Sequence, residues 1–369
     1  MALSLTVEER TVHLRAPLPT AWGALHHRTL FLTTLSGAGA PHGRGEAAPL
    51  QAYDGVSDAV CRDALHTLAA SLRLLDDDTP GHVVMDALTR ATDCGPALAA
   101  VDMALWDRGA RRLAVPVATM LAGTPLANIA VHRTIGGVTA ADAETLAAAA
   151  VRDGFSAFKV KVGLHHAAPH RSGPAPADIT GDVERVMAVR RAAGASARIK
   201  VDANGAWSLA EAMEAIARLT AAPIGVAAVE EPVSGSEAWA QLRAALRAAG
   251  NTVELSMDET ADREPGAMRH GPDVVELKLA RTGGIGPLLV QASLAQLAGV
   301  GVAIASTFDG PLGIAAAVHA AAALRIERPL GLATLDALDL TDHPDLAALA
   351  AQLDTSHGSI TVPAGPGLL

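Results

Sequence analysis

Apolar and polar positions are spaced in two different ways along this chain. In the first 125 or so residues the order is strands, then helices. Arg28 to Thr34 reads as a strand, and GRGEAAPL as a second strand running into a loop. Val56 to Leu75 and Pro96 to Ala110 carry apolar residues at helical spacing. Antiparallel strands followed by helices predict a small α+β domain, residues 1–125. From about Ile129 a rhythm takes over. Short β-rich runs recur as IAVHRTI, SAFKVKV, ARIKVDA, GVAAVEE, TVELSMD, DVVELKL, VGVAIAS and RPLGLAT, and alanine-rich helical segments separate most of them. Ser208 and Glu211 make a capping box, and Met213, Ile216 and Leu219 continue one apolar face until Pro223 stops it. Eight alternations at intervals of 20 to 40 residues predict an α/β fold, a (β/α)8-type (modified TIM) barrel over residues 126–339. A doubly wound sheet is the competing architecture, but no G-x-G-x-x-G follows an early strand. Residues 340–369 are left as a tail that could pack on the N-terminal domain.

One of those strands poses a chemical question. In AFKVKVG the period of two turns Lys159 and Lys161 to one face, and Phe158, Val160 and Val162 to the other. An interior that accepts two ammonium groups side by side must supply carboxylates or a reaction. The segment from His165 to Asp182 then interrupts the rhythm with three histidines and three prolines, and predicts a surface loop. No carboxylate or cysteine stands beside those histidines at ligand spacing, so solvated loop residues are the better reading. Thr282 to Phe308 is uncharged and long enough to span a bilayer. Six glycine or proline breaks favour loop, buried helix, turn and buried strand instead.

Composition narrows the function classes. Half the residues are hydrophobic, 18% are charged and only 2% are aromatic, as in a globular protein packed through alanine. A formal charge of −10 and the lack of any basic block argue against nucleic acid as partner. Cys61 and Cys94 match no paired metal spacing, and two cysteines in so long a chain suit a reducing cytoplasm. The N-terminus shows no signal-peptide pattern.

In barrel enzymes the chemistry sits at the C-terminal ends of the strands. Asp202 ends IKVD, Glu230 ends VAAVE and Asp258 ends ELSMD, each 28 residues after the last. Three neighbouring strands thus aim carboxylates at one point, and like charges in a low-dielectric mouth call for a cation. One acid alone would be read as a solvated strand end. All-oxygen ligands suit Mg²⁺. Lys278, in VVELKLA, lies on strand six, across the barrel from strand two, so an ammonium group stands on each side of the acids. A free lysine titrates at about 10.4. Burial, the Lys159 charge and a divalent cation are expected to lower Lys161 toward the value a general base needs. For Lys159, simple salt bridging to the acids is the bland alternative. A Schiff-base lysine would leave the three acids without a role.

In sum, K-x-K (Lys159, Lys161), VDANGAW (Asp202, Asn204), VEEP (Glu230, Glu231), MDET (Asp258, Glu259) and ELK (Lys278) resemble the enolase superfamily, in its muconate-lactonizing-enzyme branch. The handling of proton abstraction by a lysine and Mg²⁺ is known for this superfamily. The likeness runs over nearly the whole chain, including GEAAPL and AVDMALWD in what would be a capping domain. It implies Mg²⁺ (with Mn²⁺ as a substitute) on Asp202, Glu230 and Asp258, and a small carboxylate substrate whose α-proton is removed to give an enediolate. It implies Lys161 and Lys278 as catalytic groups and Lys159 as a charge on the developing oxyanion. Asn204, Glu259 and Asp309 would line or support the site. Two capping loops would select the substrate, one around Trp22 to His27 and one at Gln51 to Val56 with Tyr53. PTAWGALHHR, STFDGPLG and GLATLDAL look closest to o-succinylbenzoate synthases and N-succinylamino acid racemases, and favour the dehydration. Racemisation or epimerisation and muconate cycloisomerisation are the alternatives. In dipeptide epimerases an Asp-x-Asp pair grips the substrate's amino group, whereas Asp336 and Asp339 here are three apart. A catalytically silent binding barrel is the non-enzyme alternative, opposed by the intact set of lysines and acids. Nothing in the pattern decides whether the chain forms a homo-oligomer.

Overall fold

The computed structural model describes residues 2–20, 23–163, 177–264 and 266–369. Its first strand, β1 (Ser4–Thr20), is one the apolar pattern does not announce, because Glu8, Glu9 and Arg10 fill its middle. It pairs antiparallel with β2 (Gly23–Gly37), and β2 with β3 (Gly39–Ala47). Residues 23–27, expected in a loop, belong to β2, with His27 opposite His13 and Leu25 opposite Leu18. Hairpin pairing, which local composition does not show, holds them extended. Trp22 lies outside the described residues. The second expected loop opens with a single helical turn, α1 (Gln51–Asp54).

Three helices follow: α2 (Asp58–Leu72), α3 (Gly81–Thr89) and α4 (Gly95–Arg112). The alternation in GRGE now has a cause. A Cβ on Gly43 or Gly45 would stand 1.9 Å from the carbonyl oxygen of Ala104 or Ala100, so the two glycines let α4 lie directly on β3. Phe31, Leu35, Leu65, Leu68 and Val101 make a separate core there.

After α5 (Val117–Leu121) and β4 (Asn128–Ala130) the chain enters the barrel. The order is β5 (Arg133–Ile135), α6 (Ala140–Arg152), β6 (Ala157–Lys161), α7 (Ile179–Ala193), β7 (Arg198–Asp202) and α8 (Leu209–Thr220). It continues with β8 (Ala228–Glu230), α9 (Ser236–Ala248), β9 (Glu254–Met257), α10 (Glu259–Arg263), β10 (Val274–Leu277) and α11 (Leu279–Thr282). Then come α12 (Ile285–Leu297), β11 (Gly301–Ile304) and α13 (Pro311–Ala323). Strands β5 to β11 form one parallel sheet in chain order. The eighth run, RPLGLAT, closes the barrel with only two bridges, Leu330 to Val131 and Gly331 to Ala305. Pro329 has no N–H with which to extend that ladder. The capping box of Ser208 and Glu211 is formed in both directions.

The apolar run after Thr282 resolves into α12 and β11, and among the described residues no helix is long and apolar enough to cross a membrane. The three loop histidines lie outside the described residues. Asp182, expected in that loop, is instead buried in the first turn of α7, where it accepts from Gly163 N (2.7 Å) and Arg185 (2.8 Å). Helix α7 begins there because Asp178 caps it, accepting from Gly181 N.

The tail adds β12 (Leu338–Asp339) to β1, then α14 (Pro344–Ala350), then β13 (Ser359–Thr361) to β4. Leu346, Leu353, Ile360 and Leu368 join the core that the barrel shares with the junction, and Leu368 N donates to Asp107 on α4 (2.7 Å). Two carboxylates of the N-terminal part clamp the barrel. Helices α12 and α13 start at Gly284 and Gly310, which have no side chain to cap them. Asp102 accepts from Gly286 N (3.2 Å), and Glu46 from Gly310 N (2.6 Å) and Leu312 N (3.3 Å). Each satisfies helix N–H groups that would otherwise be orphaned.

Candidate active site

The strand register brings the expected residues together. Lys161 stands opposite Asp202 across β6 and β7, and Asp202 opposite Glu230 across β7 and β8. Lys159 is likewise opposite Lys200. Phe158 and Val160, of the other parity, are fully buried against the helices. Asp258 follows β9 and Lys278 follows β10, so β7, β8 and β9, with their acids, lie between Lys161 and Lys278.

Every lysine here holds an acid. Lys159 Nζ lies 3.0 Å from Asp202 and 2.9 Å from Glu230. Lys161 lies 2.5 Å from Asp202 and donates to Asn204 Oδ1 at 2.8 Å. Asn204 in turn donates to Glu259 (2.8 Å), which links the Lys161 side of the mouth to the β9 side. Lys278 bonds both Asp258 and the Tyr53 hydroxyl. That hydroxyl has Asp258 (2.9 Å) and Asp262 (3.3 Å) within reach as acceptors for its one proton, so the N-terminal part reaches into the mouth through Tyr53. Glu231, the second acid of VEEP, accepts from Asp258 N (2.8 Å) and Thr260 N (2.9 Å) and fixes the turn that presents Asp258.

Charge is crowded in this mouth. Burial would raise the Glu230 carboxyl, but Lys159, Lys200 and Lys161 hold it well below the usual range. Burial would lower Lys159 and Lys278, but Glu230 and Asp202 outweigh it for the first, and Asp258 and Glu259 for the second, so both ammonium groups are held above the ordinary lysine value. Burial, with Asp258 and Asp202 nearby, pushes Glu259 up to about 7. Burial and the Glu259 charge push Glu231 up to about 8.

Those last two groups bear on a cation. Glu259 Oε2 is buried, with no hydrogen-bond partner among the described residues, beside Asp258 and Asp202. Too many acids for the local lysines, all with oxygen donors, is the environment a hard divalent ion suits. Among the described residues, however, no three acids, histidines or cysteines converge as a ready-made cage. The expected meeting of Asp202, Glu230 and Asp258 at one point is therefore not formed side chain to side chain. Each carboxylate is drawn instead to a lysine: Asp202 and Glu230 to Lys159, Asp258 to Lys278. The backbone fit is present, with all three at adjacent strand ends and at most 3% exposed.

Other expected residues sit elsewhere. Asp309 is buried in its own loop, accepting from Thr307 Oγ1 (3.2 Å) at the domain junction near Arg28 and Glu46. Arg28 donates there to Pro49 O (2.6 Å), Ala48 O (2.7 Å) and Phe308 O (3.2 Å). Asp336 is paired with Arg133 (3.0 Å), and Asp339 accepts from Thr341; neither bonds a lysine or acid of the mouth. Lys200, Ser256, Glu276 and Asp262 were not anticipated. The signal for three of them is parity. Lys200, Ser256 and Glu276 stand two residues before Asp202, Asp258 and Lys278, on the same inward face.

Comparison with known proteins agrees with this geometry. Residues 2–122 match the mandelate racemase / muconate lactonizing enzyme N-terminal domain, and residues 142–368 the enolase C-terminal domain-like family. The L-Ala-D/L-Glu epimerase of Bacillus subtilis is 27% identical over 97% of this chain and 93% of its own length. A chloromuconate cycloisomerase of Pseudomonas putida is 30% identical over 82% of this chain and 78% of its own. Among solved structures, the dipeptide epimerase of Enterococcus faecalis V583, complexed with Mg and the dipeptide L-Leu-L-Tyr, superposes with TM-score 0.84 at 21% identity, covering 100% of this chain and 99% of that one. The N-succinyl Arg/Lys racemase of Bacillus cereus gives TM-score 0.84 at 22% identity, covering 100% and 95%. At those identities the structures show the shared fold. The family matches and the 30% relative show more: the chain belongs to the mandelate racemase / muconate lactonizing enzyme branch of the enolase superfamily.

Proposed function

We propose that the protein is a racemase or epimerase that moves the proton α to the carboxylate of an N-acylated amino acid, with Mg²⁺ on Asp202, Glu230 and Asp258. The observation that carries this reading is the strand order, which sets Lys161 and Lys278 on either side of the three acids. A two-base transfer needs that arrangement: one lysine takes the proton from one face, and the other returns a proton to the opposite face. When bound, the cation would neutralise the substrate carboxylate and make its α-proton more acidic. Lys159 keeps its charge beside Asp202 and Glu230, where it can meet negative charge growing on the substrate. Tyr53 brings the capping domain against Lys278 and closes that side to water.

N-acylation is favoured because neither acid of GLATLDALDL reaches the mouth to hold a substrate ammonium group. An acyl group removes that charge. The fold shared with an N-succinyl racemase supports the same class. The 30% likeness to a chloromuconate cycloisomerase supports a second reading, in which lysine chemistry interconverts a muconate and its lactone. These relatives back isomerisation over the dehydration that STFDGPLG and GLATLDAL suggested.

The test is a panel assay of the full chain with Mg²⁺ in deuterated water, covering N-succinyl and N-acetyl amino acids, dipeptides, muconates and the cyclohexadiene substrate of the synthase. Racemisation with α-deuterium incorporation in the N-acyl series is expected. Lactone formation or dehydration as the main turnover, with the N-acyl series inert, would overturn the reading.

A further inference from the structure

Beneath the acids lies a buried polar layer that the proton transfer itself does not use. Its centre is Lys200, two residues before Asp202 on the inward face of β7. Lys200 Nζ is 2.5 Å from Glu230 Oε2 and 2.6 Å from Glu276 Oε1. Glu276, only 2% exposed, also accepts from the Ser256 hydroxyl. The other oxygen of Glu230, Oε1, is bound by Lys159, which bridges it to Asp202. The two oxygens of Glu230 are thus sorted: Oε1 faces Asp202, and Oε2 faces down toward Lys200.

We infer that Lys200 and Glu276 are positioning residues for Glu230, and that they set the protein's affinity for its divalent cation. This rests on the proposed placement of the cation on Asp202, Glu230 and Asp258. A ligand carboxylate must be held aimed at the ion. Glu230 is fully buried, and among the described residues its Oε2 has no hydrogen-bond donor apart from the Lys200 contact. Without Lys200 that oxygen would be a buried half-charge with no partner, and the group would be free to rotate away from its aim. Lys200 alone would oppose a divalent ion by its own positive charge. Glu276 cancels that charge from the far side, so the pair holds Glu230 with little net field at the acids. Ala228, in the corresponding place on β8, offers no polar group of its own.

The experiment is calorimetric titration of the metal-free full chain with Mg²⁺, checked for folding by circular dichroism. Lys200→Met is expected to raise the Mg²⁺ dissociation constant about 10–100-fold. Lys200→Arg, which keeps the charge and the donors, should recover to within a few-fold of wild type. The double variant Lys200→Met/Glu276→Met separates positioning from simple charge balance. If Lys200 serves only to neutralise Glu276, removing both restores affinity and the inference falls. If it aims Glu230, the double variant stays as weak as the single one. A dissociation constant for Lys200→Met within twofold of wild type would also overturn it. Should Lys200→Met fail to fold, Glu276→Gln decides, because it leaves the Lys200 charge uncompensated and is expected to weaken Mg²⁺ at least tenfold; unchanged affinity refutes the inference. Absence of Mg²⁺ binding in the wild type would instead bring down the proposed function, so the two failures are distinct.

Discussion

Glu46 offers a prediction whose size can be worked from the structure. Its carboxyl caps α13 across the domain junction, is 2% exposed, and is pushed up to about 8 by burial, with the Asp309 charge adding to the shift. The backbone N–H groups of Gly310 and Leu312 favour the ionised form but do not outweigh burial. An acid raised in the folded state stabilises fully below its unfolded value and loses that contribution as pH rises through its folded value. The window therefore runs from the ordinary 4.5 to about 8. At 1.36 kcal/mol per pH unit the full effect has an upper limit of about 5 kcal/mol. Glu46→Gln keeps an acceptor for Gly310 N but cannot ionise. At pH 5 it should match wild type to about 1 kcal/mol, as both side chains are neutral. By pH 9 it should be the more stable by a few kcal/mol, within that upper limit. Glu46→Ala should be less stable than Glu46→Gln at every pH, by about 1–3 kcal/mol per N–H left unpaired. Urea denaturation at pH 5, 7 and 9 measures all three. Parallel curves for wild type and Glu46→Gln across that range would refute the reasoning.

Three further outcomes are expected. Asp202→Asn, Glu230→Gln and Asp258→Asn should each weaken Mg²⁺ binding and abolish α-proton exchange, as read by calorimetry and by NMR in deuterated water. Tyr53→Phe removes the hydroxyl that joins Lys278, Asp258 and Asp262, and should lower kcat/KM about tenfold or more, since bonds to charged groups contribute about 1.5–3 kcal/mol; an unchanged kcat/KM would show that this contact serves only the domain junction. Gly45→Ala places a methyl group 1.9 Å from the Ala100 carbonyl oxygen and should cost about 1–3 kcal/mol, seen as a lower Tm.

Much of the site was legible because a barrel turns linear spacing into position. The period of two in AFKVKVG and the repeat of Asp202, Glu230 and Asp258 both survive folding as neighbouring strand ends. Parity alone does not say which inward polar residue reaches up and which supports from below, so Lys200 and Glu276 went unread. Contacts between domains were harder still. Tyr53 meeting Lys278, and Glu46 capping α13, join residues 225 and 264 positions apart, and no local pattern links them. The family resemblance sets Asp309 at the site, yet the junction with Arg28 and Glu46 claims its surroundings. RPLGLAT reads as a full strand, but Pro329 and a two-residue pairing leave only a closure.

The central claim is that two opposed lysines share one α-proton. The most direct measurement is α-deuterium exchange on each enantiomer of an N-succinyl amino acid, followed separately for wild type, Lys161→Ala and Lys278→Ala with Mg²⁺. The account predicts that wild type exchanges both enantiomers, and that each variant loses exchange from one enantiomer while the two variants lose opposite ones. If Lys161→Ala stopped exchange from both enantiomers while Lys278→Ala left both intact, a single base would be at work, and the two-base reading would be contradicted.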